Sequence, residues 1–335
     1  MGLDSSNFRY LASHLASHGF AVVVPNHPGS DAQQLKSLLS GHVNEVAAPG
    51  EFKDRPLDVK YILDQLEKSN QSDTRFQGKL NLQQVGVFGH SFGGYTALAL
   101  AGAKINLEQL QQDCQPELLQ ETWNMSLLLQ CRALELSGEE FNLRDERVKA
   151  AIAVNPITSS IFGKAGLSHI QTPVMVIGSS EDTVAPALYE QIIPFSWFAN
   201  SHKYLVMLVG ATHFSTIGNS NPGSEQVALP VDMVGDAPQA RCYMNVLSLP
   251  FFQTYVAGMS QYNPYLNATY TKTISSKSLG LSFVQALSSK ELAPVLSNNL
   301  KKVKAVKRPS PSTIVRFGFW ILGIGVSLLP LMIFR

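Results

Sequence analysis

Short apolar runs alternate along the chain with longer segments in which apolar residues recur every three or four positions. The runs are about six residues long and rich in Val, Ile, Leu and Phe, which is typical of strands buried on both faces of a sheet. They predict strands at residues 20–25, 84–89, 148–154, 173–178 and 204–209. The other segments predict helices at residues 4–18, 56–66, 95–103, 184–193, 238–259 and 279–292. This alternation predicts an α/β fold, with a mostly parallel sheet and helices on both faces.

The second predicted strand runs into a predicted helix with almost no connection between them, in the sequence QVGVFGHSFGGYTALALAG at residues 84–102. Gly89 and Gly93 flank Ser91 on its two sides, and glycine allows the close backbone approach that such a sharp turn needs. The pattern G-x-S-x-G between a strand and a helix indicates a nucleophile elbow, which raises the serine hydroxyl above the sheet. Ser91 is therefore the candidate nucleophile.

Two later strands end next to residues that are able to activate a serine. In parallel sheets ligands bind beyond the carboxyl ends of the strands, and a nucleophilic serine needs a base that an acid orients. Asp182 follows the fourth predicted strand and His213 follows the fifth, in the chain order expected of an α/β-hydrolase. Glu181 as the acid, and Asp182 as a helix N-cap only, stay open as alternatives. His90 is expected to point away from the site, which leaves His213 as the base.

Four longer motifs lie at or near the ends of the predicted strands. They are HGFAVVVPNHPGSD at 18–31, GHSFGGYTAL at 89–98, GSSEDTVAP at 178–186 and GATHF at 210–214. Together they resemble one branch of the α/β-hydrolases, the dienelactone hydrolases and platelet-activating-factor acetylhydrolases, and in particular its bacterial serine hydrolases. The resemblance covers roughly residues 2–252.

This resemblance implies a serine hydrolase that cleaves short-chain or lipid-like carboxylic esters without a cofactor. Ser91 would attack the ester carbonyl, His213 would accept its proton and later activate water, and Asp182 would hold the imidazole. The backbone N–H groups of Phe92 and Leu3 would form the oxyanion hole. Leu3 is included because Met1-Gly2-Leu3 stands where relatives read His-Gly-Leu.

Three further interpretations concern the substrate and the class of protein. Phe214 is predicted to lie in the substrate pocket, close to the triad. Trp197 is a second pocket candidate, with burial elsewhere in the core as the alternative. A thioesterase or a peptidase with the same triad stays open as an alternative. A non-catalytic relative, shortened at its N-terminus and acting as a binding protein, stays open as well.

The apolar strand that precedes the His-Gly-Leu position in relatives is absent from the sequence. That strand is central in the family fold and lies between the strands predicted at 20–25 and 84–89, so we expect a sheet whose N-terminal strands are missing. Its loss would leave buried backbone groups unpaired on both neighbours. The gap is expected to close, to stay exposed or to be filled by another segment, and an N-terminally truncated version of a longer protein is the simplest explanation.

Composition and charge exclude several classes of protein. The formal charge of +1 over 335 residues gives no electrostatic support for a nucleic-acid partner. The cysteine and histidine spacings do not predict a metal site. Cys114 and Cys131 lie in one segment and form a candidate disulfide, with three buried free cysteines as the alternative. The oligomeric state stays open.

The C-terminal sequence differs from the rest of the chain. Residues 317–334, FGFWILGIGVSLLPLMIF, carry no charge and are long enough to predict a membrane-spanning helix within 313–335. A basic linker at 301–312 precedes them, so the positive-inside rule predicts a single-pass anchor with the domain in the cytoplasm. A periplasmic or secreted position is the alternative if an upstream signal peptide is missing. Residues 1–300 then form the hydrolase domain, with a helical, cap-like insert at 104–147 that would shape the acyl pocket.

Overall fold

The computed structural model describes most of the chain as one sheet with helices on both of its faces. The described residues are 5–30, 47–136, 141–218, 235–287, 290–292 and 331–334, together with residues 34, 37, 42 and 294. In sequence order, their strands are β1 (Ala21–Val23), β2 (Val85–His90), β3 (Val148–Val154), β4 (Val174–Ser179), β5 (Lys203–Val209), β6 (Gly280–Val284) and β7 (Leu331–Phe334).

These strands form one sheet in the order β1-β7-β2-β3-β4-β5-β6. Strands β2 to β5 run parallel to one another. Strand β7 is antiparallel to both β1 and β2, and β6 is antiparallel to β5. The fold class predicted from the apolar runs, a mostly parallel α/β sheet, is therefore confirmed, and the carboxyl ends of β2 to β5 share one edge.

The helices lie mainly in the connections between these strands. The three-residue helix Ile193–Phe195 continues directly from a π-helical turn at Leu188–Ile192. The described α-helices are α1 (Arg9–Ser17), α2 (Glu51–Ser72), α3 (Phe92–Leu100), α4 (Leu107–Asp113), α5 (Pro116–Glu121), α6 (Met125–Cys131), α7 (Ser159–Leu167), α8 (Ile193–Phe195), α9 (Ala237–Tyr255) and α10 (Ala268–Ile274).

Both faces of the sheet are covered, as the uninterrupted apolar strands require. Val85 and Val87 of β2 pack into one apolar cluster with α2 and α3. Phe88, the next residue along the strand, packs into a second cluster with α1 and α9 on the opposite face. Because successive side chains of a strand point to opposite faces, β2 contributes to both clusters and is buried throughout.

The gap expected between β1 and β2 is filled by the C-terminal strand β7. Its backbone pairs Phe334 with Ala21 on one side and with Val85 on the other, and it pairs Leu331 with Phe88. An extended segment at this place supplies partners for backbone groups of β1 and β2 that would otherwise lack them. Of the three expected outcomes for the gap, the structure shows the one in which another segment fills it.

The predicted membrane helix at 313–335 differs from the structure at its end. Leu331–Phe334 form a strand of 4 residues, so the prediction of a helix is wrong there. The remainder of 313–335 and the linker at 301–312 lie outside the described residues. Among the residues that are described, no helix is both long and apolar enough to cross a membrane. The anchor and the cytoplasmic position of the domain stay predictions.

Two helix predictions also need correction. Residues 279–292 are predicted as a helix, but they contain the edge strand β6, in which only Phe283 is buried. Pro56 is predicted as the first residue of its helix, but α2 begins at Glu51 and Pro56 lies inside it. Proline lacks the N–H that would bond the carbonyl of Phe52. The Tyr95 hydroxyl donates to that carbonyl instead, at 2.6 Å.

The segment at 104–147 is helical over most of its described length. It contains α4, α5, α6 and a 3-10 helix at Arg132–Glu135. Cys114 follows α4 and forms a disulfide with Cys131, the last residue of α6. The disulfide therefore joins the carboxyl-terminal ends of two helices of this segment.

Candidate active site

Ser91 lies at a sharp turn between β2 and α3. Its φ is 55° and its ψ is −118°, a strained conformation for a residue with a side chain. The turn brings backbones so close that a Cβ on Gly89 would lie 1.9 Å from the carbonyl oxygen of Gly93. The N–H of Ser91 donates to the carbonyl of Val154 at the end of β3, at 2.8 Å. This geometry is that of a nucleophile elbow.

Asp182 and His213 contact each other at the same edge of the sheet. The distance from His213 Nδ1 to Asp182 Oδ2 is 2.6 Å, and both side chains are buried. The carboxylate accepts the Nδ1 proton of a neutral imidazole, which leaves Nε2 as an acceptor. His213 therefore has the tautomer that a general base requires.

Asp182 also contacts its own loop, but it is not a helix N-cap. The helix predicted to begin at Val184 starts only with the turn Leu188–Ile192, whose N-cap is Ala187. The second carboxylate oxygen of Asp182, Oδ1, accepts hydrogen bonds from the backbone N–H groups of Val184 at 2.8 Å and Ala185 at 2.7 Å. The carboxylate thus stabilises its own loop while it contacts His213. Glu181, the alternative acid, is exposed. The geometry favours Asp182 over Glu181 as the partner of the imidazole.

The loop of Ser91 and the loop of His213 meet through His90. Its Nε2 lies 2.7 Å from the carbonyl oxygen of His213, and the two imidazole rings are 4.8 Å apart between centroids. His90 therefore contacts the backbone of His213, and the expectation that it is not the base stays a prediction. Asn155, which follows β3, also contacts that carbonyl, from its Nδ2 at 3.2 Å. Sequence reasoning gave Asn155 no role, and its only signal was its position directly after a strand.

Phe92 begins α3, directly after Ser91, and its side chain is buried. Backbone N–H groups in the first turn of a helix have no acceptor within the helix, so the N–H of Phe92 is suited to bind an oxyanion. Leu3, the second predicted donor, lies outside the described residues.

Phe214, one of the two predicted pocket residues, lies beside the candidate triad. Its ring is 5.1 Å from the ring of His213 between centroids. Trp197 lies in the connection to β5, where Lys203, the first residue of that strand, donates to the carbonyl of Phe198 at 2.6 Å. That connection is at the amino end of β5, and His213 follows its carboxyl end. Trp197 therefore lies a few residues before the amino end of β5, and its place in the pocket stays a prediction.

A buried polar cluster contacts α3, the helix that follows Ser91. The guanidinium of Arg55 is 4.7 Å from the centroid of the Phe92 ring, and it donates to the hydroxyls of Ser30 at 2.6 Å and Thr96 at 3.3 Å. The Ser30 hydroxyl in turn donates to Glu51 at 2.6 Å. Burial raises the pKa of the Glu51 carboxyl. The cluster connects the loop after β1 to α2 and to α3, the helix that begins directly after Ser91.

A polar pair joins His27, in the loop after β1, to Asp58 of helix α2. The Nδ1 of His27 lies 2.7 Å from Asp58 Oδ2, and the imidazole is buried. Burial, with the charge of Arg55, lowers the pKa of His27 to about 4 despite its contact with Asp58. His27 is therefore neutral at pH 7 and donates its Nδ1 proton to the carboxylate.

Among the described residues, no group of three or more His, Cys, Asp and Glu side chains could hold a metal ion.

No curated protein matches the chain. A family model described as alpha/beta hydrolase fold matches residues 1–115, about a third of the chain, which include β1, β2 and the Ser91 elbow. Together with the mostly parallel sheet, this match supports the placement of the chain in the α/β-hydrolase superfamily.

Proposed function

We propose that the chain is a serine hydrolase that cleaves carboxylic esters through Ser91, His213 and Asp182. The observation that carries the proposal is the meeting of three loops at one edge of the sheet. The strained Ser91 follows β2, Asp182 follows β4, and His213 follows β5 and contacts Asp182 at 2.6 Å. Hydrolase activity is the general expectation for the superfamily. The assignment of the three roles and of the ester substrate is the finer proposal.

In the proposed reaction, the Ser91 hydroxyl attacks the ester carbonyl carbon while His213 Nε2 accepts its proton. The imidazolium that forms is stabilised by Asp182, and its proton then passes to the departing alcohol. Water attacks the resulting acyl-enzyme with His213 again as the base, which releases the acid and restores Ser91. The backbone N–H of Phe92 binds the oxyanion, and one such donor contributes about 3 kcal/mol to the stabilisation of the transition state.

The substrate class follows from the resemblance and from the apolar surroundings. The dienelactone hydrolase and acetylhydrolase branch acts on small or lipid-like esters, and Phe214 presents an aromatic ring beside His213. Short-chain or lipid-like acyl groups therefore suit the site best. A thioesterase or a peptidase would use the same acyl-enzyme, and the substrate panel below separates them.

We also propose that the helical segment at 104–147 shapes the acyl pocket. The N–H of Ser126, at the start of α6, donates to the carbonyl of Val184 at 2.9 Å. Val184 in turn donates to Asp182 Oδ1 at 2.8 Å. The segment therefore borders the loop that carries the proposed acid. The Cys114–Cys131 disulfide connects two of its helices, α4 and α6.

Labelling with a fluorophosphonate probe tests the nucleophile. We expect the full chain to be labelled at Ser91, as read by peptide mass spectrometry, and Ser91→Ala to remove both the label and ester hydrolysis. Ser72→Ala, which removes an exposed hydroxyl at the end of α2, is the matched control and should keep both. Label on Ser91→Ala at the wild-type rate would place the nucleophile elsewhere. No label in a folded sample would favour the binding protein.

A substrate panel then tests the reaction. p-Nitrophenyl esters of graded acyl length, matching thioesters and a peptide anilide are compared by kcat/KM. We expect hydrolysis of esters to exceed that of the anilide by several orders of magnitude. Preference for the thioester or the anilide would overturn the ester assignment while it kept the triad.

A further inference from the structure

The backbone carbonyl of His213 lies between two buried side chains that come from two other strands. His90, the last residue of β2, contacts it from Nε2 at 2.7 Å. Asn155, the first residue after β3, contacts it from Nδ2 at 3.2 Å. All three residues are buried. One carbonyl oxygen therefore connects the end of β2, the end of β3 and the loop after β5.

The chemistry of the carbonyl fixes which atoms of His90 carry protons. A carbonyl oxygen only accepts, so the Nε2 of His90 must donate. The Nδ1 of His90 is buried and has no hydrogen-bond partner among the described residues. A second proton on Nδ1 would create a buried, unpaired cation, which is costly. Burial and the neighbouring His213 accordingly hold the pKa of His90 well below its usual value. His90 is therefore neutral and carries its proton on Nε2, whereas His213 donates to Asp182 from Nδ1.

Asn155 is held in a conformation that most residues avoid. Its φ is 41°, and among the described non-glycine residues only Ala47 and Ser91 also have a positive φ. Within the part of the chain that the structure describes, the buried Oδ1 of Asn155 has no hydrogen-bond partner. Its backbone N–H donates to the carbonyl of Ile177 in β4 at 2.7 Å, which fixes the turn. Strain and an unpaired acceptor both cost stability, and the conformation directs the amide nitrogen at the His213 carbonyl.

We propose that His90 and Asn155 are positioning residues that hold the backbone of His213, and so keep its imidazole in its contact with Asp182. This rests on the proposed serine hydrolase function. The imidazole of His213 is attached to a loop, and in the described part of the chain the nearest other long-range hydrogen bond to that loop's backbone joins the N–H of Glu181 to the carbonyl of Ala211, at 2.9 Å. With the carbonyl held from two sides, rotation of the peptide unit is restricted and the ring keeps one orientation. Neither residue exchanges a proton with the substrate.

The test compares variants that keep and remove the donor of His90. In His90→Gln, the side-chain amide nitrogen stands where Nε2 stood and keeps the donor. His90→Met has similar length but no donor. We expect His90→Met to lower kcat by about 10–100-fold, in the range that misplacement of a catalytic group costs, with KM changed less than about 2-fold. His90→Gln should stay within a few-fold of the wild type. Equal losses in both variants, or no loss in either, would overturn the proposal.

Asn155→Ala supplies the second arm of the test. Because both residues act on one carbonyl, the double variant His90→Met with Asn155→Ala should lose less than the product of the two single losses. Independent, multiplicative effects would show that the residues do not share a target. Thermal unfolding of every variant identifies those that fail to fold. Asn155→Asp, which keeps the shape of the side chain and removes the donor, replaces Asn155→Ala in that case.

A readout that does not depend on turnover separates this proposal from the proposed function. The Nδ1 proton of His213, held by Asp182, gives a far-downfield proton NMR signal when the imidazole is fixed. We expect the signal to persist in His90→Gln and to broaden or vanish in His90→Met. If the full chain shows no ester hydrolysis but this pattern holds, the positioning role stands and the hydrolase function fails. A signal unchanged in both variants would overturn the positioning role whatever the activity.

Discussion

The hydroxyl of Tyr95 donates to the carbonyl of Phe52 at 2.6 Å and so replaces the helical hydrogen bond that Pro56 cannot make. Tyr95 lies in α3, the helix that follows Ser91, and Phe52 lies in the first turn of α2. This contact therefore allows α2 to begin one turn before its proline. It also connects α2 to the helix whose first residue is the proposed oxyanion donor.

We predict that Tyr95→Phe lowers the free energy of unfolding by about 1–3 kcal/mol, because it leaves the buried Phe52 carbonyl unpaired. The ring would keep its stacking on Phe162, at 5.0 Å between centroids. The loss would thus report the hydroxyl alone, and urea unfolding measures it. In a Tyr95→Phe background, Pro56→Ala restores a helical N–H for the same carbonyl and should recover part of the loss. A double variant no more stable than Tyr95→Phe would contradict this account.

The second prediction concerns the partner of His213. Asp182→Asn should lower kcat by about 10³–10⁴-fold, because an amide nitrogen beside Nδ1 favours the wrong imidazole tautomer. Glu181→Gln changes the neighbouring carboxylate in the same way, but Glu181 is exposed, so its activity should stay near that of the wild type. Steady-state ester hydrolysis measures both variants. A larger loss in Glu181→Gln than in Asp182→Asn would reverse the assignment of the acid.

The third prediction is a pH dependence of stability that arises from His27. Its pKa in the folded chain is about 4, compared with 6.5 for an unperturbed histidine. Between these values the unfolded chain binds a proton that the folded chain does not. The contribution of His27 is therefore complete above pH 6.5, is lost as the pH falls toward 4, and amounts to about 3 kcal/mol at most.

His27→Asn isolates this effect, because the Asn amide nitrogen occupies the place of Nδ1 beside Asp58 and does not titrate. We expect the stability difference between the wild type and His27→Asn to shift against the wild type as the pH falls from 6.5 to 4. Urea unfolding at several pH values measures this difference, in which the contributions of the other histidines cancel. A difference that stays constant over this window would refute the assignment.

The parallel part of the fold could be predicted because it depends on local patterns. Strands β2 to β5 are uninterrupted apolar runs, and each was predicted within about one residue of its observed ends, well inside the usual uncertainty. Their parallel order then brings the loops of Ser91, Asp182 and His213 to one edge. The contact between Asp182 and His213 follows from that topology and was expected.

The parts that could not be predicted depend on contacts between distant segments. Strand β6 is an edge strand with a single buried residue, Phe283, so its apolar spacing fits a helix equally well. The roles of His90 and Asn155 depend on a backbone carbonyl, which no side-chain pattern reveals. Strand β7 pairs with segments more than two hundred residues away in the chain, and its apolar sequence suits a membrane helix and a buried strand alike.

The last prediction tests β7. Its backbone pairs Met332 with Val23 of β1 and with Val87 of β2. Proline at this central position removes a donor from the sheet. Met332→Pro should therefore lower Tm by several degrees, since loss of one buried hydrogen-bond partner costs about 1–3 kcal/mol. Arg335→Pro, which places proline just beyond the strand, is the matched control and should leave Tm near that of the wild type. If both variants keep the wild-type Tm and the full chain pellets with membranes in high salt, the segment acts as the predicted anchor and β7 does not form. A lowered Tm in Met332→Pro alone places these residues in the sheet, where they cannot span a bilayer at the same time.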